Sequence, residues 1–185
     1  MDTTSRTRLL KVHPVLADKV EKVIADLATA GRDVRVVQGL RTYAEQNALY
    51  AQGRTRPGNK VTNAKAGSSN HNFGMAVDLC PFSGGQPQWN DTAGFNAIGV
   101  AGKKHGLAWG GDWKFVDKPH LELDHGLTMA QCRALYAKGG LPEVWAKAKI
   151  SGAVSTPALA DNINPPNSPL PNSSAPVMHT VKAGD

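Results

Sequence analysis

Two histidines and one aspartate in this sequence have the types and the context to bind a metal ion. His71 lies in a loop just before the apolar run 75–79, which is typical of a buried strand and carries Asp78. A buried carboxylate costs on the order of several kcal/mol unless a cation or a hydrogen-bond donor neutralises it. His120 lies on a second predicted strand. Two histidines and one carboxylate form the ligand set of a catalytic zinc site, whose fourth position is left to water.

Each of these residues has an ordinary structural explanation when it is taken alone, because an aspartate often caps a turn and a histidine is often simply polar. The combination is what predicts the metal site. Two acids, Asp117 and Glu122, flank His120 and are alternatives for a general base. Asp117 precedes Pro119 at a corner, although an aspartate before Lys-Pro is also typical of a turn. Glu122 shares the strand face of His120 and could instead orient that ligand through a hydrogen bond.

The hydrophobic pattern predicts the elements that position these residues. Thr42 and Glu45 form a capping box that opens a helix ending near Gly53, and this places Arg41 at a strand-to-helix corner. The remaining predictions are helices over 14–30, 91–104, 128–138 and 142–150, strands over 34–38, 75–79, 107–109 and 119–123, and loops over 54–70 and 81–90. Because strands and helices do not alternate regularly, we expect an α+β fold with a small antiparallel sheet that carries the zinc site and is covered by helices.

The charge of the chain favours an anionic partner. The 21 Lys and Arg exceed the 15 Asp and Glu, which gives a net charge of +6. Nucleic acid, a membrane surface and an anionic cell wall all fit that sign, and basic charge can also serve solubility alone. The basic residues do not gather with aromatics into a nucleic-acid motif, so we expect no nucleic-acid partner. No apolar run is long enough for stable membrane insertion.

Composition divides the chain into three parts. Residues 1–150 carry the helix and strand patterns and are predicted to form the catalytic domain. Residues 151–178 are rich in proline, serine and asparagine, as a linker is. The start of the chain is polar and predicts no signal peptide, so we expect synthesis in the cytoplasm. Cys80 and Cys132 form no CxxC pair, which excludes a thiolate zinc site.

Around the predicted ligands, the sequence resembles the D-alanyl-D-alanine peptidase superfamily of zinc enzymes. The pattern is Ser69-x-His71-x-x-Gly74-x-Ala76-x-Asp78, followed by Asp117-x-x-His120. More closely, residues 13–126 resemble the phage endolysins and bacterial autolysins that are L-alanyl-D-glutamate endopeptidases. Further matching motifs follow in the right order: Gly39-Leu40-Arg41-Thr42, Glu45-Gln46, Leu49-Tyr50, Gly53-Arg54-Thr55, Val61-Thr62 and Trp109-Gly110-Gly111-Asp112-Trp113. Residues 179–185 resemble the opening of a LysM repeat, which implies a natural protein that continues into a wall-binding module.

The resemblance implies a role for each site residue. Asp117 matches the base of the superfamily, and its corner position suits that task better than the strand position of Glu122, to which we assign a supporting role. Arg41 matches the arginine that stabilises negative charge on the substrate or the intermediate. Ser69 matches a serine that binds substrate or shapes the loop.

The implied function is that of a monomeric zinc endopeptidase that cuts the L-Ala–D-Glu bond of the peptidoglycan stem peptide and so degrades the bacterial wall. A phage-encoded enzyme of this kind is released from the host cytoplasm by a holin. Two alternatives stay open: a D-Ala-D-Ala carboxypeptidase, and a non-catalytic wall-binding protein that retains the zinc fold.

Overall fold

The computed structural model describes residues 1–150, so the predicted linker and the LysM-like stretch lie outside the described residues. Five helices and five strands form this part of the chain. In order they are α1 (Thr3–Leu9), α2 (Pro14–Thr29), β1 (Asp33–Gln38), α3 (Tyr43–Ala51), β2 (Ala76–Ser83), β3 (Gln86–Pro87), α4 (Thr92–Lys104), β4 (Ala108–Trp109), β5 (His120–Glu122) and α5 (Met129–Lys147). Two short 3-10 helices, Asn70–Phe73 and Gly110–Asp112, precede β2 and follow β4.

The strands form one small antiparallel sheet in the order β1-β2-β5-β4, with β3 paired to the end of β2. Strand β2 is central and lies between β1 and β5. Its Asp78 is opposite His120 of β5 on one side and opposite Gln38 of β1 on the other. The predicted α+β fold with a small antiparallel sheet is confirmed. The register places two predicted metal ligands directly across from each other.

Helices α2 and α4 pack on the sheet and on each other. The apolar stripe predicted for α2 is buried, from Leu16 to Leu27. Burying one such aliphatic side chain contributes roughly 1.5–3 kcal/mol. The stripe meets residues of β1, β2 and α4 in a single core that includes Val34, Val36, Val77, Leu79, Phe95 and Ile98. The core also includes Leu121 of β5, so β2 and β5 share it. None of the helices within residues 1–150 is both long and apolar enough to cross a membrane.

Helix α1 is absent from the sequence-based prediction, and tertiary contacts explain why it forms. Ser5 Oγ accepts a hydrogen bond from the Val36 backbone N–H at 2.9 Å. Arg8 Nη1 donates to the Val36 carbonyl at 2.6 Å. The side chains of this helix therefore bond to backbone groups on the outer edge of β1, which would otherwise be unpaired. A seven-residue polar segment has no hydrophobic period that could reveal this.

Two other elements differ from the prediction. Strand β2 continues through Pro81 to Ser83, where a loop was expected, because it pairs with β1 as far as Phe82 and with β3 at its end. The predicted loop over 54–70 ends in the first turn of the 3-10 helix that carries His71. The last two predicted helices are both present, because non-helical backbone at Gly139 and Gly140 divides α5 into two helices across a kink.

Candidate metal centre

His71 reaches the sheet from the 3-10 helix Asn70–Phe73. This helix ends at Gly74, whose φ of 66° lies in the left-handed region that favours glycine. The His71 ring is buried, and its Nδ1 donates to the Gly39 carbonyl at 2.9 Å. That bond fixes the tautomer, so the lone pair of Nε2 points toward Asp78 and His120.

The three predicted ligands offer three donor atoms in a nearly equilateral triangle. His71 Nε2 lies 3.2 Å from both Asp78 Oδ1 and His120 Nδ1, and His120 Nδ1 lies 3.3 Å from Asp78 Oδ1. A tetrahedral zinc ion with ligand bonds of about 2.0–2.1 Å needs neighbouring ligand atoms about 3.3–3.4 Å apart. The donor types and their spacing therefore fit zinc with one coordination position left over.

The charges in and beside this triangle shift the pKa values of Asp78 and His120. Burial opposes ionisation of Asp78, but the adjacent His71 and His120 rings outweigh it and hold the pKa of this carboxyl well below its usual range. Burial likewise opposes protonation of His120, but hydrogen bonds with Asp78 and Glu122 raise the pKa of its imidazole to about 10. In the metal-free chain, His120 is therefore an imidazolium between two carboxylates. A metal ion that binds its Nδ1 must displace one proton.

Glu122 lies beside His120, as the period of the strand predicts. His120 Nε2 lies 3.0 Å from Glu122 Oε2, and the Asn70 amide donates to the same oxygen at 2.7 Å. Burial raises the pKa of Glu122, but these two hydrogen bonds outweigh it and lower the pKa below its usual value. Glu122 is thus a carboxylate that holds the ring of His120 from the side opposite the triangle.

Asp117 stands at the corner before β5, on a turn that packs against Gly110. Its N–H donates to the Gly110 carbonyl at 2.9 Å, and its own carbonyl accepts the His120 N–H at 3.1 Å. A Cβ at position 110 would lie 2.4 Å from the Asp117 carbonyl oxygen, so only glycine permits this approach. Asp117 is exposed, but the surrounding protein partly removes water from its carboxyl. This desolvation, followed by the Asp78 charge, raises the pKa of the carboxyl above its usual value.

Arg41 follows β1 and is buried beside the triangle. Its Nη2 lies 3.5 Å from Asp78 Oδ2, the oxygen that does not face the histidines. Its Nη1 donates to Gln46 Oε1 at 3.0 Å, and Gln46 in turn donates to the Ala64 carbonyl at 2.8 Å. Asn72 donates to the Arg41 carbonyl at 2.8 Å. Gln46 and Asp78 therefore hold the guanidinium, and Asn72 holds the backbone. The buried Nε has no hydrogen-bond partner within residues 1–150.

The remaining sequence candidates lie at different distances from the triangle. Ser69 is half-buried at the start of the 3-10 helix, and its side chain makes no capping hydrogen bond there. The Trp113 ring lies 4.9 Å from the His120 ring and is 38 % exposed, so it forms part of the wall around the site. The Trp109 indole instead donates to the Lys118 carbonyl and packs beside Gly99.

Sequence reasoning missed the residues that support the site residues through hydrogen bonds. Gln46, Asn70, Asn72 and His125 each bond to a site residue or to its direct partner. His125 lies outside the predicted ligand positions, as do His13 and His105. His13 caps α2, and His105 at the end of α4 bonds to Asp26; within residues 1–150 neither ring bonds to a site residue. Only the three-dimensional contacts distinguish His125 from them.

Comparisons with known proteins identify related peptidases. A family model described as D-alanyl-D-alanine carboxypeptidase matches residues 62–123. The peptidoglycan L-alanyl-D-glutamate endopeptidase CwlK of Bacillus subtilis is 37% identical over 125 residues, which cover 60% of this chain and 73% of that protein. The L-alanyl-D-glutamate peptidase of Escherichia phage T5 is 31% identical over 128 residues, which cover 66% of this chain and 87% of that protein.

Among solved structures, the L-Ala D-Glu endopeptidase ChiX of Serratia marcescens aligns with a TM-score of 0.48 and 25% sequence identity. The alignment covers 66% of this chain and 87% of that chain.

Proposed function

The chain belongs to the same peptidase family as the two L-alanyl-D-glutamate peptidases, and from this premise we propose that it hydrolyses the L-Ala–D-Glu bond of the peptidoglycan stem peptide with zinc as its cofactor. The observation that carries the proposal is the triangle of donor atoms on His71, Asp78 and His120, with separations of 3.2–3.3 Å. Peptidoglycan is the substrate class, and the bacterial wall is the place of action.

His71, Asp78 and His120 are the residues that would hold the ion. A zinc ion bound there supplies a Lewis acid that acidifies water and polarises a carbonyl group. Asp117 takes the proton of the attacking water, and it returns that proton to the amine as the peptide C–N bond breaks. The raised pKa of Asp117 suits a base that must also act as an acid in the second half of the reaction.

Arg41 stabilises the negative charge that develops on the substrate during attack. Its guanidinium is fixed by Gln46 and lies against the outer oxygen of Asp78, so little reorganisation is needed when that charge forms. Ser69, beside the 3-10 helix that carries His71, offers a hydroxyl to the substrate. Glu122 holds the His120 ring by its Nε2 and has no part in proton transfer. All of these residues come from one chain, so we infer that a monomer is active.

The test of this function is metal removal from the purified protein followed by incubation with purified wall. A chelator should abolish the release of new amino groups, and added zinc should restore it. His71→Ala should stay inactive after zinc is added, because one of three ligands is lost. A chelated protein that keeps full activity contradicts the zinc proposal. A zinc-loaded protein that binds wall and releases no amino groups supports a non-catalytic wall-binding protein instead.

A further inference from the structure

We propose that Asn70 and His125 are positioning residues, which hold Glu122 and through it the His120 ring in the orientation that binds the metal. This inference rests on the zinc site of the proposed function. It assigns a role to a buried histidine that lies outside the ligand triangle.

The hydrogen bonds of His125 and Asn70 form a series in which each donor points toward Glu122. The Leu127 backbone N–H donates to His125 Nδ1 at 3.3 Å, so the ring hydrogen lies on Nε2. His125 Nε2 then donates to Asn70 Oδ1 at 3.0 Å. Because this contact occupies the amide oxygen, the Asn70 amide is oriented with its NH₂ group toward Glu122.

The next contacts in this series connect Asn70 to Glu122 and Glu122 to His120. Asn70 Nδ2 donates to Glu122 Oε2 at 2.7 Å, and His120 Nε2 lies 3.0 Å from that oxygen. A carboxylate only accepts, so His120 must donate from Nε2 and leave Nδ1 to face the triangle. Glu122 thus leaves His120 Nδ1 available to a metal ion, and the bonds from Leu127 through His125 and Asn70 hold that carboxylate in place.

The burial of His125 and the position of Asn70 explain why this series of hydrogen bonds should affect the metal site. His125 is only 4% exposed, so the lost partner of a broken bond is not readily replaced by water. Asn70 is also the first residue of the 3-10 helix that carries His71. The one asparagine therefore connects the two histidine ligands, one through its side chain and Glu122, the other through the backbone.

The test is a measurement of zinc affinity by competition with a chromophoric chelator, with the melting temperature of each metal-free variant recorded beside it. His125→Phe keeps a ring of similar size and removes the donor, and we expect about tenfold weaker zinc binding. Asn70→Ala breaks the same chain at its middle bond and should weaken zinc binding by a similar factor.

His13→Phe is the matched control. His13 is also buried, and its Nδ1 also accepts a backbone N–H, that of Val15. Within residues 1–150, however, its ring makes no hydrogen bond to Asn70 or Glu122. We expect His13→Phe to lower the melting temperature and to leave zinc affinity within about twofold of that of the unmodified chain.

A double-mutant cycle separates positioning from general destabilisation. If His125 acts through Glu122, then His125→Phe should cause no further loss of affinity in a Glu122→Ala background. Independent losses that multiply would overturn the proposal, as would unchanged affinity in both His125→Phe and Asn70→Ala. If the unmodified chain binds zinc and both variants bind it with the same affinity, the positioning role is contradicted and the proposed function is not. An unmodified chain that binds no zinc contradicts the proposed function as well.

Discussion

Zinc binding should weaken about 100-fold when the pH falls from about 8 to about 6, because zinc and a proton compete for His120 Nδ1. The pKa of His120 is raised to about 10 in the metal-free chain. Throughout this pH range the ring is therefore protonated and one proton must leave for each zinc ion bound. Affinity then changes about tenfold for each pH unit, rising with pH.

An ordinary histidine gives a different result. With a pKa of about 6.5, proton competition would weaken binding only about fourfold over the same range. The assay is zinc competition with a chelator of known proton affinity, together with proton release in weak buffer, which should be about one per zinc near neutral pH. His105→Gln is a suitable control, because His105 bonds to Asp26 at the end of α4 and not to the triangle. A fourfold change with little proton release would refute the reasoning.

Other predictions concern single positions. Asp117→Asn should remain folded and zinc-loaded and should lose about 10²–10⁴ in rate. Glu122→Gln should lose less activity and bind metal more weakly. The opposite pattern would reverse the two roles. Gly110→Ala places a Cβ 2.4 Å from the Asp117 carbonyl oxygen and should lower both activity and melting temperature, as kinetics and thermal melts would show. Gln46→Leu removes the hydrogen bond that holds Nη1 of Arg41 and should lower kcat/KM by about 10² with zinc content unchanged. Deletion of residues 155–185 should leave turnover of soluble stem peptides unchanged, since their composition predicts no contribution to a core.

The sequence predicted the elements with strong local signals. The apolar stripe of α2 and the capping box at Thr42 are short-range patterns, and both appear in the structure as expected. Helix α1 was missed because its stability comes from contacts with the edge of β1, which are not visible in a seven-residue segment. The end of β2 was missed because Pro81 suggested a loop, although the strand continues between its neighbours.

The proposed metal ligands have strong local signals in the sequence, whereas the groups that support them do not. His71 and Asp78 lie in one motif, and His120 follows in a second, so residue types and spacing selected them as candidates, and the structure brings them together. Gln46 and His125 act through hydrogen bonds to Arg41 and Asn70 that link distant parts of the chain. Gln46 stands in a matching motif that does not reveal its bond to Arg41, and His125 carries no local pattern that differs from that of an ordinary polar side chain, so only the three-dimensional contacts show these bonds.

The most direct test of the central claim is the identification of the new chain ends that the zinc-loaded protein creates in purified peptidoglycan. Mass spectrometry and end-group analysis of the released fragments should find D-Glu at the new amino terminus, with glycan strands uncut. The same digestion with Asp117→Asn should give almost no new ends. New reducing sugars, or free D-Ala as the only product, would contradict the proposed function.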